Sequence, residues 1–205
     1  LWINDLYGLL GIYAIPNWIG IPFTILTIVF ITNAINLIDG IDGLASGLSS
    51  VALLVFGLLF IEKGLWMYSM LAFSTLGVLV PFFYYNVFGN AERARKIFMG
   101  DTGSLTLGDI LSFLAIKYSQ NNPEVISNTK GTFLIAFSTL IIPAFDVIRV
   151  VMVRLRNGKS PFEPDKNHIH HKFLAMGFTP RKAMIIIILI SCAFSAVNIL
   201  LIPWV

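Results

Sequence analysis

Long apolar stretches, separated by short polar segments, dominate the chain. A spanning helix needs roughly 20 mostly apolar residues, and six stretches reach or approach that length. They cover residues 19–38, 44–61, 65–88, 105–118, 132–153 and 183–204. The fourth is short, and we expect its helix to begin nearer Asp101. Residues 185–190 are all aliphatic and so lack the alternation of a transmembrane barrel. The pattern predicts an all-α, polytopic transmembrane bundle of about six spans, forming a single domain over residues 1–205.

Composition and the placement of charge agree with a membrane protein. Hydrophobic residues make up 57% of the chain and charged residues 12%, whereas soluble domains have about 25% charged residues. Ten of the 14 Lys and Arg lie in two loops, 89–100 and 154–182. Because basic loops favour the cytoplasmic side, we expect both loops and the 39–43 turn to be cytoplasmic. Basic residues confined to loops between spans also argue against nucleic-acid binding.

A first polar cluster follows the first apolar stretch. The string NAINLIDGIDGLA, residues 33–45, has Asn33, Asn36 and Asp39 at every third position, near one face of a helix end. Gly40 lets the backbone bend or approach a ligand closely. A solvated loop is the simpler interpretation, but ionisable groups at a membrane helix end favour a functional site.

A second cluster is the string KIFMGDTGSLTLG, residues 96–108. Asp101 lies just before an apolar run, where it could simply cap a helix start. Alternatively, exposed amides at that helix start attract phosphate, and the carboxylate could hold a divalent cation that bridges phosphate oxygens. The two interpretations are compatible, and the sequence leaves both open.

A third cluster, NGKSPFEPDKNHIHHKFLAMGF at residues 157–178, holds all the histidines of the chain: His168, His170 and His171. No cysteine or further histidine lies nearby to complete a zinc site. A polar loop with chance histidines is the simpler interpretation. Histidines pooled beside Lys and Asp favour a role in anion binding or proton transfer.

Three charged residues fall inside the predicted spans. Asp146 and Arg149 are three positions apart, which predicts an ion pair within one helix. Asp109 is expected to face the bundle interior. A transporter using these charges is disfavoured, because the sequence has no inverted repeat and its polar groups crowd one side.

The three strings, in this order, resemble the polyprenyl-phosphate N-acetylhexosamine-1-phosphate transferase family, to which phospho-N-acetylmuramoyl-pentapeptide transferase is related. SPF followed by HIHH is similar to the undecaprenyl-phosphate GlcNAc-1-phosphate transferase branch. The resemblance implies transfer of a sugar 1-phosphate, here GlcNAc-1-phosphate, from a UDP-sugar to polyprenyl phosphate with release of UMP. It further implies Mg²⁺, with Mn²⁺ as an alternative. The expected location is the cytoplasmic face of the bacterial inner membrane, where cell-wall and lipopolysaccharide synthesis begins.

The resemblance also implies roles for individual residues. Asp101 matches the magnesium-binding aspartate of the family, and Phe98 matches an aromatic residue that stacks near the uracil. The expected catalytic residues are Asp39, Asp42, His168, His170 and His171. The expected substrate-binding residues are Asn36, Gly40, Asp42, Phe98, Lys159 and His170.

The chain departs from the family in two respects. It has no paired-aspartate motif upstream of the first cluster, and its six predicted stretches fall short of the family's roughly ten or eleven spans. We therefore expect the C-terminal part of such an enzyme, inactive alone. The alternative is a truncated, non-catalytic membrane module that binds UDP-sugar or a partner subunit. The expected partners are UDP-N-acetylhexosamine, polyprenyl phosphate and the membrane, and a homodimer is left open.

Overall fold

The computed structural model describes residues 1–120, 132–161, 163 and 167–201. A short 3₁₀ turn, Leu9–Gly11, precedes eight α-helices in this part of the chain. Their bounds are α1 Asn17–Ile38, α2 Leu44–Glu62, α3 Trp66–Phe88, α4 Gly100–Ser119, α5 Thr132–Ser138, α6 Ile141–Arg156, α7 Ile169–Ala175 and α8 Pro180–Leu201. The same residues hold an isolated bridge between Asp5 and Ala14 and no strand, so the predicted all-α class is confirmed.

Four helices, α1, α2, α3 and α8, are long and apolar enough to cross a membrane, and a fifth span results if α5 and α6 are joined. The count of six is therefore not confirmed. α4 begins at Gly100, as expected, but Ser, Thr, Gly and Asp109 lower its hydropathy. The end of the sixth predicted stretch, 202–204, lies outside the described residues.

The predicted fifth span is broken. α5 and α6 meet at an angle of 77°. Pro143 explains the break, because it lacks an N–H and its ring clashes with the carbonyl four residues earlier, that of Thr139. Thr139 adds to the effect by donating its hydroxyl to the carbonyl of Ala136, 3.0 Å away, in competition with the helix ladder.

The core is centred on α2, which is 67% buried along its apolar segment, against 28% or less for α1, α3 and α8. Phe56 and Phe60 of α2 are fully buried. Phe60 meets the ring of Tyr118 from α4 edge to face, with centroids 5.6 Å apart. The other spans expose large apolar side chains such as Trp18 and Met67, a surface suited to lipid.

Close packing of α1 on α4 positions the polar residues. A Cβ added at Gly108 would lie 2.6 Å from the Cα of Thr32, so the two backbones touch where a side chain is missing. Ser104 and Ser112, four residues to either side, are also buried, and such small residues allow close helix approach in membranes. As a result, the last turn of α1 lies beside the first turn of α4, at what we call the site end of the bundle.

Candidate active site

The 39–43 turn, which joins α1 to α2, is tied to the rest of the site end by Asn86. Gly43 adopts φ +80°, a conformation that glycine tolerates best, and its N–H donates to Asn86 Oδ1 at 2.6 Å. Asn86 in turn donates to the carbonyl of Ile97 at 2.8 Å. Sequence reasoning missed Asn86, although an amide in the last turn of an apolar span was a signal.

A second connection joins α1 to α4. Asn36 Nδ2 donates to Asp101 Oδ1 at 3.1 Å and to Ser104 Oγ at 2.8 Å. Asp101 lies within the first turn of α4, and the N-cap residue is Met99, which makes no side-chain cap bond. The interpretation of Asp101 as an N-cap is therefore wrong. Its carboxylate is held by Asn36 at a helix start, where negative charge is favoured.

These two connections enclose a cavity of about 350 Å³, within the usual range for small-molecule sites. It combines the first and second polar clusters. Its lining residues are Asn36, Asp39, Gly40, Ile41, Asp42, Asn86, Phe98, Met99, Gly100 and Asp101. Phe98 is 73% exposed, so a flat aromatic face is available at the rim.

The cavity is acidic. Burial, followed by the negative charges of Asp42 and Asp101, raises the pKa of Asp39 to about 6. Lys96 partly offsets this charge: its Nζ lies 2.6 Å from Asp42 Oδ2 and 5.4 Å from the centre of the Phe98 ring. Sequence reasoning placed Lys96 in the motif but gave it no role. A cavity with this balance of charge favours a bound cation.

The donor set fits a shared magnesium ion better than an enclosed one. Among the described residues, no three His, Cys, Asp or Glu side chains come close enough to form a complete ligand set. Mg²⁺ usually keeps several waters and binds one or two carboxylates together with substrate phosphates. The oxygen donors and the three carboxylates that line one cavity, Asp39, Asp42 and Asp101, fit that arrangement, with Asp101 as the expected ligand.

The histidine cluster meets the first cluster at Gly40. A Cβ added at Gly40 would collide with Nε2 and Cε1 of His170, so the absence of a side chain makes room for the imidazole. His170 is 2% exposed. Burial, followed by the charges of His171 and His168, lowers the pKa of His170 to about 4. The imidazole is therefore neutral at neutral pH, and its ring lies parallel to His168, with centroids 5.9 Å apart.

Asp146 holds the start of the histidine segment. The predicted ion pair is confirmed, with Arg149 Nη2 2.8 Å from Asp146 Oδ1. Asp146 also lies 2.8 Å from His168 Nδ1 through its Oδ2. Sequence reasoning missed this second contact, which joins residues 22 positions apart.

The family model of glycosyl transferase family 4 matches residues 2–119, more than half of the chain. The chain belongs to glycosyl transferase family 4. The resemblance drawn from the three motifs is thereby confirmed at the level of the family, and the matched region includes the 39–43 turn and Asp101.

The curated relatives of this family 4 chain are named as undecaprenyl-phosphate N-acetylglucosaminyl 1-phosphate transferases. The undecaprenyl-phosphate alpha-N-acetylglucosaminyl 1-phosphate transferase of Yersinia pestis is 34% identical over 168 residues, which are 82% of this chain and 44% of that protein. The protein of the same name from Escherichia coli K12 gives the same values. A probable undecaprenyl-phosphate N-acetylglucosaminyl 1-phosphate transferase of Bacillus subtilis is 37% identical over 185 residues, 90% of this chain and 49% of that protein. The chain thus spans about half the length of the curated relatives it matches.

Some predicted residues of the family 4 chain lie outside the cavity. Lys159 pairs with Glu163 at 3.0 Å, and its role stays a prediction. Asn33 is exposed, donates to the carbonyl of Val29 and does not line the cavity that Asn36 lines. Asp109 is exposed, so the expectation that it faces the bundle interior is wrong. Within the third cluster, residues 162 and 164–166 lie outside the described part.

Proposed function

We propose that this chain carries the site at which GlcNAc-1-phosphate is transferred from a UDP-sugar to undecaprenyl or another polyprenyl phosphate, releasing UMP. The main support is the meeting of the three clusters: Asp39 and Asp101 line one cavity, and His170 reaches Gly40 beside it. The names of the relatives support the same chemistry. In this proposal the site end faces the cytoplasm, since the basic loops lie there. The apolar helices and bacterial relatives support a multi-pass bacterial membrane protein.

In the proposed reaction, an oxygen of the lipid phosphate attacks the phosphorus that bears the sugar. A new P–O bond forms, the bond to UMP breaks, and UMP leaves with the electron pair. The nucleophile is already anionic at neutral pH and needs little deprotonation. The difficulty is to bring two anions together, which is why positioning and electrostatics dominate phosphoryl transfer. Mg²⁺, when bound, neutralises charge on the diphosphate.

The acidic residues of the cavity act in this reaction through position and charge. Asp101, fixed by the Asn36 hydrogen bond, would hold the magnesium ion. Asp39, whose pKa is raised to about 6, loses that elevation when a cation approaches, so it is able to bind the cation or a substrate hydroxyl. Asp42 keeps Lys96 beside the cavity, where the ammonium can turn to a substrate phosphate.

The remaining residues contact the two ends of the donor. The exposed ring of Phe98 offers a stacking face for uracil. His170 is neutral at neutral pH, so it can donate one hydrogen bond to a phosphate or sugar oxygen without adding charge. His168 and His171 flank it, and Gly40 provides the open backbone against which it lies.

The test compares two aspartates of one helix. UMP release from UDP-GlcNAc is measured with polyprenyl phosphate, with and without Mg²⁺, and with Mn²⁺ in its place. Asp101→Asn is expected to lower the rate by at least about 100-fold. Asp109→Asn, a change of the same kind at an exposed position of α4, is the control and should keep the activity. Equal rates in the two variants would overturn the proposal.

A second candidate is a non-catalytic membrane module that binds UDP-sugar. It is favoured by the coverage, since the chain spans 44–49% of its curated relatives. Calorimetry with UDP-GlcNAc separates the candidates when it is run beside the turnover assay. Binding that depends on Asp101 without any UMP release selects this second candidate.

A further inference from the structure

Asp146 is a buried carboxylate for which the proposed chemistry has no use. It is 2% exposed, and both of its oxygens are occupied. Oδ1 accepts the N–H of Ile169 at 2.8 Å and lies 2.8 Å from Arg149. Oδ2 lies 2.8 Å from Nδ1 of His168. Two of these three partners are the residues that immediately precede His170.

One of the contacts caps a helix. α7 begins at Ile169, and its own N-cap residue, His168, makes no side-chain cap bond. The first amides of a helix need such a partner, and a helix of seven residues is marginal by itself. Asp146, from α6, provides the acceptor, so α6 fixes where α7 starts.

Arg149 attaches the same segment a second time. Its guanidinium pairs with Asp146 and also donates to the carbonyl of Asn167. It therefore neutralises the buried carboxylate and holds the backbone just before His168. Asn167, His168 and Ile169 are thus each bound to one turn of α6.

Because α6 holds residues 167–169, it also restricts the position of His170, the next residue of α7. Its ring is confined by Gly40 on one side and by the rings of His168 and His171, at 5.9 and 4.3 Å. The charged and titratable groups that act on it are His171, His168 and Asp146. Its Nδ1 is buried and has no hydrogen-bond partner among the described residues. A buried polar atom without a partner costs free energy, so the position of this ring must be held by other contacts.

We propose that Asp146 is a positioning residue, which holds the His170 imidazole against Gly40 by binding His168 and the Ile169 amide. It touches neither the donor nor the acceptor. By accepting from Nδ1 of His168, it also fixes a proton of that ring on Nδ1. This inference rests on the proposed function only for its effect on turnover. The geometry itself can be tested without substrate.

The first test is nuclear magnetic resonance of the full chain in nanodiscs, with ¹⁵N-labelled histidine. Wild type should show His168 protonated on Nδ1, and His170 neutral until the pH falls to about 4. Asp146→Asn should remove the tautomer preference of His168. It should also raise the pKa of His170 toward its ordinary value of 6.5, because release of the ring removes the burial that lowers this pKa most. That effect outweighs the loss of the Asp146 charge, the smallest of the causes, which raises it. Asp109→Asn is the control and should match wild type. Unchanged His168 and His170 signals in Asp146→Asn would overturn the proposal.

The second test separates positioning from binding. In Asp146→Asn, kcat should fall on the order of 100-fold, with KM for UDP-GlcNAc changed less than about threefold. In a His168→Gln background, the same substitution should lower kcat less than about threefold further. The contact to His168 is already absent there, and the amide oxygen that the substitution leaves can still accept the N–H of Ile169. Additive losses would overturn the proposal. If wild type shows no turnover, the non-catalytic candidate is favoured, and the resonance experiment still decides the role of Asp146.

A folding defect is handled by a second variant. If Asp146→Asn gives no folded protein, His168→Gln leaves the Ile169 and Arg149 contacts of Asp146 intact. It should still raise the pKa of His170, because the burial that lowers it is lost on release and the His168 charge that also lowers it is gone. The helix content by circular dichroism should stay that of wild type. A His170 titration identical to wild type in this variant would count against the proposal.

Discussion

The contact between Gly40 and His170 can be tested by adding one methyl group. In Gly40→Ala the new Cβ would overlap Nε2 and Cε1 of the imidazole and lie 3.1 Å from Cδ2. The backbone of Gly40 is not in the left-handed region, so alanine brings no conformational strain. The whole effect is therefore steric and falls on the histidine.

The loss of stability in Gly40→Ala depends on which segment can move away from the added methyl group. Forcing an extra methyl group into a packed site typically costs about 1–3 kcal/mol. α7, which carries His170, is short and is bound to α6 chiefly through its first residues. We therefore expect the histidine to leave the site before the bundle unfolds. The free energy of unfolding should fall by about 1–3 kcal/mol, and the pKa of His170 should rise from about 4 toward 6.5.

Thermal unfolding, a ¹⁵N titration of His170 and UMP release are measured on Gly40→Ala. The control is Gly77→Ala, because a Cβ at Gly77 meets nothing within 4 Å. Within a helix, that change should stabilise the protein by roughly 0.5–1 kcal/mol. The double variant Gly40→Ala, His170→Ala should recover the stability lost in Gly40→Ala. If Gly40→Ala matches Gly77→Ala in all three measurements, His170 does not lie against the 39–43 turn.

Three further predictions concern the same end of the bundle. Asn86→Ala, which leaves the Gly43 amide unpaired, should cost about 1–3 kcal/mol in thermal unfolding. Asn86→Asp keeps the acceptor but loses the donor to Ile97 and adds a buried charge to an acidic cavity, so it should cost at least as much. Asp39 has a raised pKa, so its protonated form is favoured in the folded protein. Its contribution to the free energy of unfolding is complete below its ordinary pKa of 3.8 and is lost as the pH rises through about 6. Without Mg²⁺, Asp39→Asn should therefore gain stability over wild type between about pH 4 and 7 in denaturant titrations, and a constant difference would contradict this sign. Gly108→Ala, with its Cβ 2.6 Å from the backbone of Thr32, should separate α1 from α4 and lower both the melting temperature and UMP release, and wild-type values would show that the helices are not in contact.

The fold class was predictable because lipid imposes it. Backbone groups in hydrocarbon must be satisfied within the segment, so the length of an apolar run predicts a helix without knowledge of its neighbours. The predicted number of spans was not confirmed, because two of the apolar stretches are interrupted or diluted by individual residues. Pro143 divides one predicted span into two helices, and α4 is long enough to cross but is too polar to qualify by hydropathy.

The site was predictable where its residues are close in sequence. Asp39, Gly40 and Asp42 lie in one turn, so their grouping followed from the string itself. The distribution of Lys and Arg between the loops predicted that Asp101 lies on the same side of the membrane, and Asp101 lines the same cavity. The supporting contacts were not predictable. Gly43 and Asn86 are 43 positions apart, and Asp146 and His168 are 22 apart. Such partners are chosen by helix packing, which no single segment encodes.

The 39–43 turn is in contact with other segments along nearly its whole length. His170 presses on Gly40, Lys96 binds Asp42, and Asn86 binds Gly43. An exchange at any of these positions alters a neighbour as well as the ligand, which leaves evolution little freedom there. We expect donor preference to diverge instead through side chains that meet the ligand from an open side, such as Phe98.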